Sequence, residues 1–171
     1  MYSIRRHRPG DMGLIIHQHA ILYEQSVGWG PSFEADVART TLDFLDNFDS
    51  DLERVFIVES AETSKFLGSA AVFKHRKEVS TAQLRLLLVD PTVRGAGLGA
   101  KLIDECVRFA RECGYAKILL WTYDALGGAR RLYHRAGFRV IASTEENEYW
   151  GVKMSLETWE LALSGADGQS T

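Results

Sequence analysis

Leu84-Arg85-Leu86-Leu87-Leu88-Val89-Asp90-Pro91-Thr92-Val93-Arg94-Gly95-Ala96-Gly97-Leu98-Gly99-Ala100 is the stretch on which the fold turns. It reads as a buried strand, a proline-marked turn and a glycine-rich corner opening onto an amphipathic helix. Such a corner leaves backbone N–H groups unblocked at a helix N-terminus, where the helix dipole favours an anion. The expected occupant carries phosphate. Three kinds of phosphate loop compete for it. A P-loop requires Lys then Ser or Thr after its last glycine, but Ala100 follows Gly99 and Lys101 precedes Leu102, so no hydroxyl is offered to magnesium. Gly95, Gly97 and Ala100 formally satisfy the dinucleotide pattern G-x-G-x-x-G/A. That pattern sits tight against its strand, whereas Asp90 to Arg94 intervene here, and the segments before Leu84 look like hairpin-connected strands rather than a repeated βαβ unit.

Working outward, Tyr2 to Arg6 forms a first strand, and Pro9-Gly10-Asp11 signals a turn and helix start before Met12 to Gln25, with Leu14, Ile15, His19, Leu22 and Tyr23 at helical spacing. Gly28 to Ser32 breaks that helix and starts another, Phe33 to Asn47, with an apolar face of Val37, Thr41, Phe44 and Leu45. Residues 54–59, 66–73 and 82–89 make an antiparallel meander. Leu98, Leu102, Ile103, Cys106, Val107, Ala110 and Cys113 mark one face of a helix stopped by Gly114. Lys117 to Trp121 is a buried strand reached through that helix, hence parallel to the strand before it. A short helix, 128–135, is followed by a strand over 138–143 and a last strand from Tyr149 to Leu156. The sum is one mixed α/β sheet of about seven strands with about four helices, a single domain over 1–160 and a disordered tail over 161–171.

The 171 residues, 46% hydrophobic and 25% charged, describe one globular domain, and a net charge of −3 argues against nucleic acid or an anionic membrane as main partner. The basic run Lys74-His75-Arg76-Lys77 reads as a solvated hairpin end. Met1-Tyr2-Ser3-Ile4 leads into charged residues rather than an apolar signal region, and no apolar stretch is long enough to cross a bilayer. Cys106 and Cys113 lie seven residues apart on one helix, roughly 10 Å along its axis and beyond disulfide reach. They read as core thiols, which places the chain in the cytoplasm. His17 and His19 suggest a metal, but i,i+2 residues diverge on a helix, and His7, His75 and His134 lack partners too, so no metal is expected.

Arg94-Gly95-Ala96-Gly97-Leu98-Gly99 resembles the Q/R-x-x-G-x-G/A acyl-CoA loop of the GNAT superfamily of N-acetyltransferases. The preceding Val89-Asp90-Pro91 and the later Ala129-Arg130-Arg131-Leu132-Tyr133-His134-Arg135-Ala136-Gly137-Phe138 resemble the motifs that flank it in that family. Together they cover about half the chain, and the stretch 82–99 looks most like the acetyltransferase half of fusions with MarR-type winged-helix regulators. The resemblance implies acetyl-CoA as co-substrate and two parallel strands, ending at Val89 and near Trp121, that splay at their C-terminal ends. Leu87, Leu88 and Val89 would meet the pantetheine arm, and Arg94, Gly95, Ala96, Gly97, Leu98, Gly99 and Ala100 would wrap the pyrophosphate. Ala129 and Tyr133 would complete the coenzyme site. Val89 is the family's usual position for the N–H that polarises the thioester carbonyl, and Tyr133 matches its tyrosine that protonates the departing thiolate. A phenol of pKa about 10 suits a thiolate of about 8.5.

Two departures concern the base that frees the amine. Trp121 stands where many relatives carry glutamate, and Asp124-Ala125-Leu126 where many carry asparagine. Glu24, Glu34 or a water relay remain as bases. Tyr23, Trp29, Phe33 and Glu34, around the helix break, are candidate acceptor-pocket residues. The expected activity is acetyl transfer to a primary amine of a small molecule or protein. The alternatives are a non-catalytic acyl-CoA sensor and a transferase for a longer acyl donor. Exposed last-strand residues leave a homodimer open.

Overall fold

The computed structural model describes residues 1–163. The main sheet is assembled from β1 (Tyr2–Arg6), β2 (Arg54–Ser60), β3 (Phe66–Lys74), β4 (Thr81–Val89), β5 (Lys117–Tyr123), β6 (Arg139–Ser143) and β9 (Leu156–Ala162), in the spatial order β1-β2-β3-β4-β5-β9-β6. A separate hairpin pairs β7 (Asn147–Tyr149) with β8 (Val152–Met154). All neighbours are antiparallel except β4 and β5, which run parallel through a right-sized crossover helix, α3 (Leu98–Glu112). Helices α1 (Asp11–Val27) and α2 (Pro31–Asn47) cover one face. Helices α3 and α4 (Gly127–Arg135) cover the other.

Each face has its own core. Leu98, Leu102, Ile103, Cys106 and Phe109 of α3 pack with Ala82, Leu84 and Ile118 of the sheet, joined by Tyr133 and Phe138. On the opposite side Met12, Ile15 and Phe44 pack on Val55, Ile57, Ala71 and Phe73. Side chains alternate between faces along a strand. In β4 that alternation slips. Ser69 pairs with Leu88 and Ala71 with Arg85, so one residue of β3, Ala70, faces two of β4, Leu86 and Leu87, a β-bulge. Leu86 carries it at φ 55°, and its carbonyl accepts a hydrogen bond from Ser69 Oγ at 2.8 Å. Gly68 permits the approach, since a Cβ there would stand 2.7 Å from the Leu88 carbonyl oxygen. Because of the bulge, Leu86 and Leu88 pack toward α1 and α2 while Leu87 and Val89 pack toward α3.

The parallel pairing is short. β4 and β5 are in register only at Thr81/Lys117, Ala82/Ile118 and Gln83/Leu119, yet β4 continues six residues and β5 four beyond it. The sheet therefore splits from Leu84 onward.

Several elements differ from expectation. Leu45 is exposed and Phe33 takes its place on the buried face of α2, while in α1 Met12 is buried and Leu14 is not. The last strand is not Tyr149 to Leu156. Trp150 at φ 51° and Gly151 at φ 89° turn the chain into the β7–β8 hairpin, and the closing strand starts at Leu156. It runs to Ala162, and Leu163 is buried, so a tail starting at 161 begins too early. Residues 164–171 of that expected tail lie outside the described residues. Among the described residues, no helix is long and apolar enough to cross a membrane.

Candidate active site

Two cavities open at the split between β4 and β5, one toward each side of the sheet. The first, about 680 Å³, runs over Leu87, Leu88 and Val89, across Arg94, Gly95, Gly97, Leu98, Gly99 and Ala100, and along α4. Its corner is built by local chain chemistry. Asp90 stops β4, its carboxylate accepting from the Thr92 amide at 2.8 Å and from the Thr92 hydroxyl, and a 3₁₀ turn over Pro91–Val93 follows. Gly95 (φ 81°) and Gly97 (φ 78°) then take left-handed conformations that side chains disfavour. No side chain caps α3, and no acidic residue lies in its first turn. The first amides of a helix have no partner within it, so this corner presents donors to an anion. Arg94, Arg131 and Arg135 line the same cavity, and no acidic residue lines it among the described residues. The sequence reading missed Arg131 and Arg135, although they lie seven and three residues before Phe138 inside the quoted motif.

The second cavity, about 660 Å³, lies on the α1/α2 side. Gly28 (φ 76°) ends α1, its amide reaching the carbonyls of Glu24 and Tyr23, and the chain turns Trp29 inward. Tyr23 stacks on Trp29 (4.8 Å, 10°) and meets Phe33 edge-on at 5.2 Å. Trp150, from the β7–β8 turn, packs on Trp29 and Phe33 and donates its Nε1–H to Asp36 at 2.7 Å. Arg85, Leu86, Trp121 and Tyr123 supply the sheet side of the pocket. Three residues line both cavities: Tyr23, Leu87 and Leu126. They mark the place where two ligands would meet.

The expected acceptor residues Tyr23, Trp29 and Phe33 thus come together. Glu34 does not: it is exposed on α2 and lines neither cavity, because the helical phase that buries Phe33 and Val37 turns position 34 away. Glu24 is likewise exposed and outside both cavities. The carboxylate in the pocket is Asp36, held by Arg39 at 2.6 Å and by Trp150. Arg39, Thr40, Arg85, Tyr123 and Trp150 were not singled out from sequence either.

Tyr133 is buried, its ring 6.0 Å from both Phe138 and Trp159. It is not among the lining residues of either cavity, nor is Ala96, whereas Ala129 lines the first. Burial, reinforced by the neighbouring phenol of Tyr23, pushes the Tyr133 hydroxyl well above the ordinary phenol range. Burial raises Tyr23 too, against a small opposing effect of Arg94. His19, also in the pocket wall, is lowered to about 4 by burial, with its hydrogen bond to the Ile15 carbonyl opposing. A carbonyl oxygen only accepts, so Nδ1 (2.8 Å away) carries the proton and the ring is neutral. Among the described residues, no group of three or more His, Cys, Asp or Glu could hold a metal ion.

The sequence profile described as "Acetyltransferase (GNAT) family" matches residues 19–138. An uncharacterized N-acetyltransferase of Schizosaccharomyces pombe is 32% identical over 85 residues, a segment spanning 50% of this chain and about half (52%) of that protein. Among solved structures, an acetyltransferase of the GNAT family from Streptococcus pneumoniae superposes with a TM-score of 0.75 at 17% identity, covering 96% of this chain and 100% of the other. yncA of Salmonella typhimurium, solved with its cofactor acetyl-CoA, gives 0.72 at 20% identity over 100% and 99%. At such identities these two structures speak for the fold.

Proposed function

The chain belongs to the acetyltransferase (GNAT) family, and from that premise we propose that it transfers an acetyl group from acetyl-CoA to a primary amine by direct attack. The observation that carries this is the meeting of the two cavities at Tyr23, Leu87 and Leu126. One cavity has the uncapped helix corner and three arginines suited to a pyrophosphate. The other is an aromatic pocket suited to a small acceptor. Leu87, Leu88 and Val89, freed from pairing with β5, offer their edge to the pantetheine amides in the manner of an added strand.

Acetyl-CoA supplies the activated acyl group. The amine nitrogen attacks the thioester carbonyl carbon, whose oxygen is polarised by the Val89 N–H. The C–S bond breaks, and the thiolate takes the Tyr133 proton, which solvent returns. Tyr133 is assigned this role by its place in the Tyr133-x-x-x-Gly137-Phe138 motif. The amine surrenders its own proton to water in the open acceptor pocket, since the lining carboxylate, Asp36, is committed to Arg39 and Trp150.

That commitment, together with Trp121 at the position where relatives carry glutamate, favours a second reading, a non-catalytic acyl-CoA sensor akin to regulator fusions. One experiment separates them: free CoA release is followed with amino acids, polyamines and peptide lysines, alongside calorimetry of CoA binding. Amine-dependent release supports the transferase; CoA binding with no release from any amine supports the sensor. Absence of CoA binding removes both. Substituting succinyl- or propionyl-CoA in the same assay tests the acyl-chain preference.

A further inference from the structure

Arg85 is a charged residue in a strand whose neighbours are Leu84, Leu86, Leu87 and Leu88, and the reaction described above gives it no task. Its side chain lies in the acceptor pocket, mostly buried. It donates to Thr40 Oγ1 at 3.2 Å, and that hydroxyl is oriented to accept because its own proton goes to the Asp36 carbonyl at 2.9 Å. The guanidinium also lies 5.9 Å from the centre of the Trp121 ring. Neither partner carries negative charge.

The acids that face it are engaged elsewhere. Asp36 holds Arg39 and Trp150. Asp43, on the next turns of α2, holds Arg76 at 3.1 Å and accepts from Asn47 at 3.0 Å. Tyr123 is pushed up to about 12, chiefly by burial, and His19 is neutral, so neither balances a cation. Counting Arg39 and Arg85 against Asp36, the pocket lining carries one surplus positive charge among the described residues. The Trp29 indole N–H, in the same wall, is buried and has no acceptor among the described residues. The partly buried guanidinium spends a donor on Thr40 and opens others onto the pocket, where a ligand can supply the acceptor.

We propose that Arg85 receives a carboxylate of the acceptor, so that the amines this protein acetylates are amino acids. The guanidinium fork matches a carboxylate bidentately. Leu87, at the junction, is two residues from Arg85, at most roughly 7 Å along the chain across the bulge, so amine and carboxylate belong to one small molecule. The rest of that molecule lies against Trp29, Phe33 and Trp150, which favours an apolar or flat side chain. The inference rests on the transferase reading for its amine, and on the pocket alone for its carboxylate.

The test compares each amino acid with its carboxamide and its decarboxylated amine, by CoA release at saturating acetyl-CoA. The acid is expected to exceed both in kcat/KM by roughly 10- to 100-fold. Arg85→Gln removes that preference through KM while calorimetric CoA binding is unchanged, and Arg85→Lys retains part of it. A second arm needs no turnover: thermal shifts by N-acetyl amino acids and by their amides are measured on the CoA-bound protein. Stabilisation by the acids only, lost in Arg85→Gln, supports the proposal even if no amine reacts, in which case the transferase reading alone falls. Carboxamides or simple amines that react as well as the acids overturn it, as does an acid preference that survives Arg85→Gln. The comparison between ligands stands on the unmodified protein should the variant not fold.

Discussion

Burial raises the phenols of both Tyr23 and Tyr133 above their ordinary range; Tyr23 lines both cavities, and Tyr133 lies near enough to Tyr23 for the two to interact. The motif assigns proton donation to Tyr133, so Tyr133→Phe is expected to lower kcat by roughly 100-fold or more, with the CoA dissociation constant unchanged by calorimetry. Tyr23→Phe keeps the ring stack on Trp29 and is expected to lower kcat only a few-fold; a larger loss in Tyr23→Phe than in Tyr133→Phe would transfer the acid role to Tyr23. At this scale the glycine corner was legible, since Gly95 and Gly97 take the left-handed conformations such a corner requires; Tyr133 was picked out by its motif spacing and lies outside both cavity linings. The sequence was not legible for Arg85, visible as a charge among leucines, because only the folded chain brings Thr40 of α2 and Trp121 of β5 beside it. Asp36 was missed and Glu34 chosen because both lie near the start of one helix. Only the observed phase, with Phe33 and Val37 inward, and the cross-chain bond from Trp150 tell them apart.

Between elements, the contact of α3 with α4 turns on Gly99. A Cβ there would stand 2.8 Å from Leu132 Cδ1, the mobile end of a side chain that also lines the coenzyme cavity. Gly99→Ala gains helix propensity of up to about 1 kcal/mol, so stability is expected to hold while Leu132 shifts and CoA binding weakens several-fold. Gly97→Ala meets open space but φ 78°, and is expected to cost about 1–2 kcal/mol of stability. Urea titrations and CoA calorimetry on the two variants distinguish a packing from a backbone requirement. The meander, the crossover and the helix after the glycine corner were readable because each obeys one periodicity. The β7–β8 hairpin was not. Trp150 takes its turn at positive φ, where sequence expects Gly or Asn, and the break before β9 comes from Asp124, whose carboxylate accepts from the Ser155 amide at 2.9 Å.

For the molecule as a whole, buried titratable groups set an acid limit. His19 is lowered to about 4 in the fold, whereas an unfolded histidine titrates near 6.5. Between those values the unfolded chain binds the extra proton, so stability is complete above pH 6.5 and falls as pH drops toward 4, by about 2–4 kcal/mol in all. His7, lowered by burial against Asp11, acts in the same sense. Asp11 adds a later loss. Burial works to raise it, but the Arg5 fork (2.7 and 3.1 Å) and the Arg8 amide hold it below the usual carboxylate range, and that stabilisation disappears as pH falls through its folded value. Denaturant midpoints from pH 7.5 to 4.5 are expected to show this decline, with a shallower slope in His19→Asn; equal slopes would remove His19 from the account.

The short parallel pairing has one more consequence. β4 belongs to a block with β1 to β3, and β5 to a block with β9 and β6, and three register pairs join the two. The amides of Leu87 to Val89 on that side of β4 end on a slot rather than a neighbour. In hydrogen exchange they should lose their protons to solvent deuterium quickly in the free protein, and slow sharply once pantetheine fills the slot. The coenzyme would then be a structural tie across the protein as well as a reagent, its concentration setting how firmly the two blocks hold together.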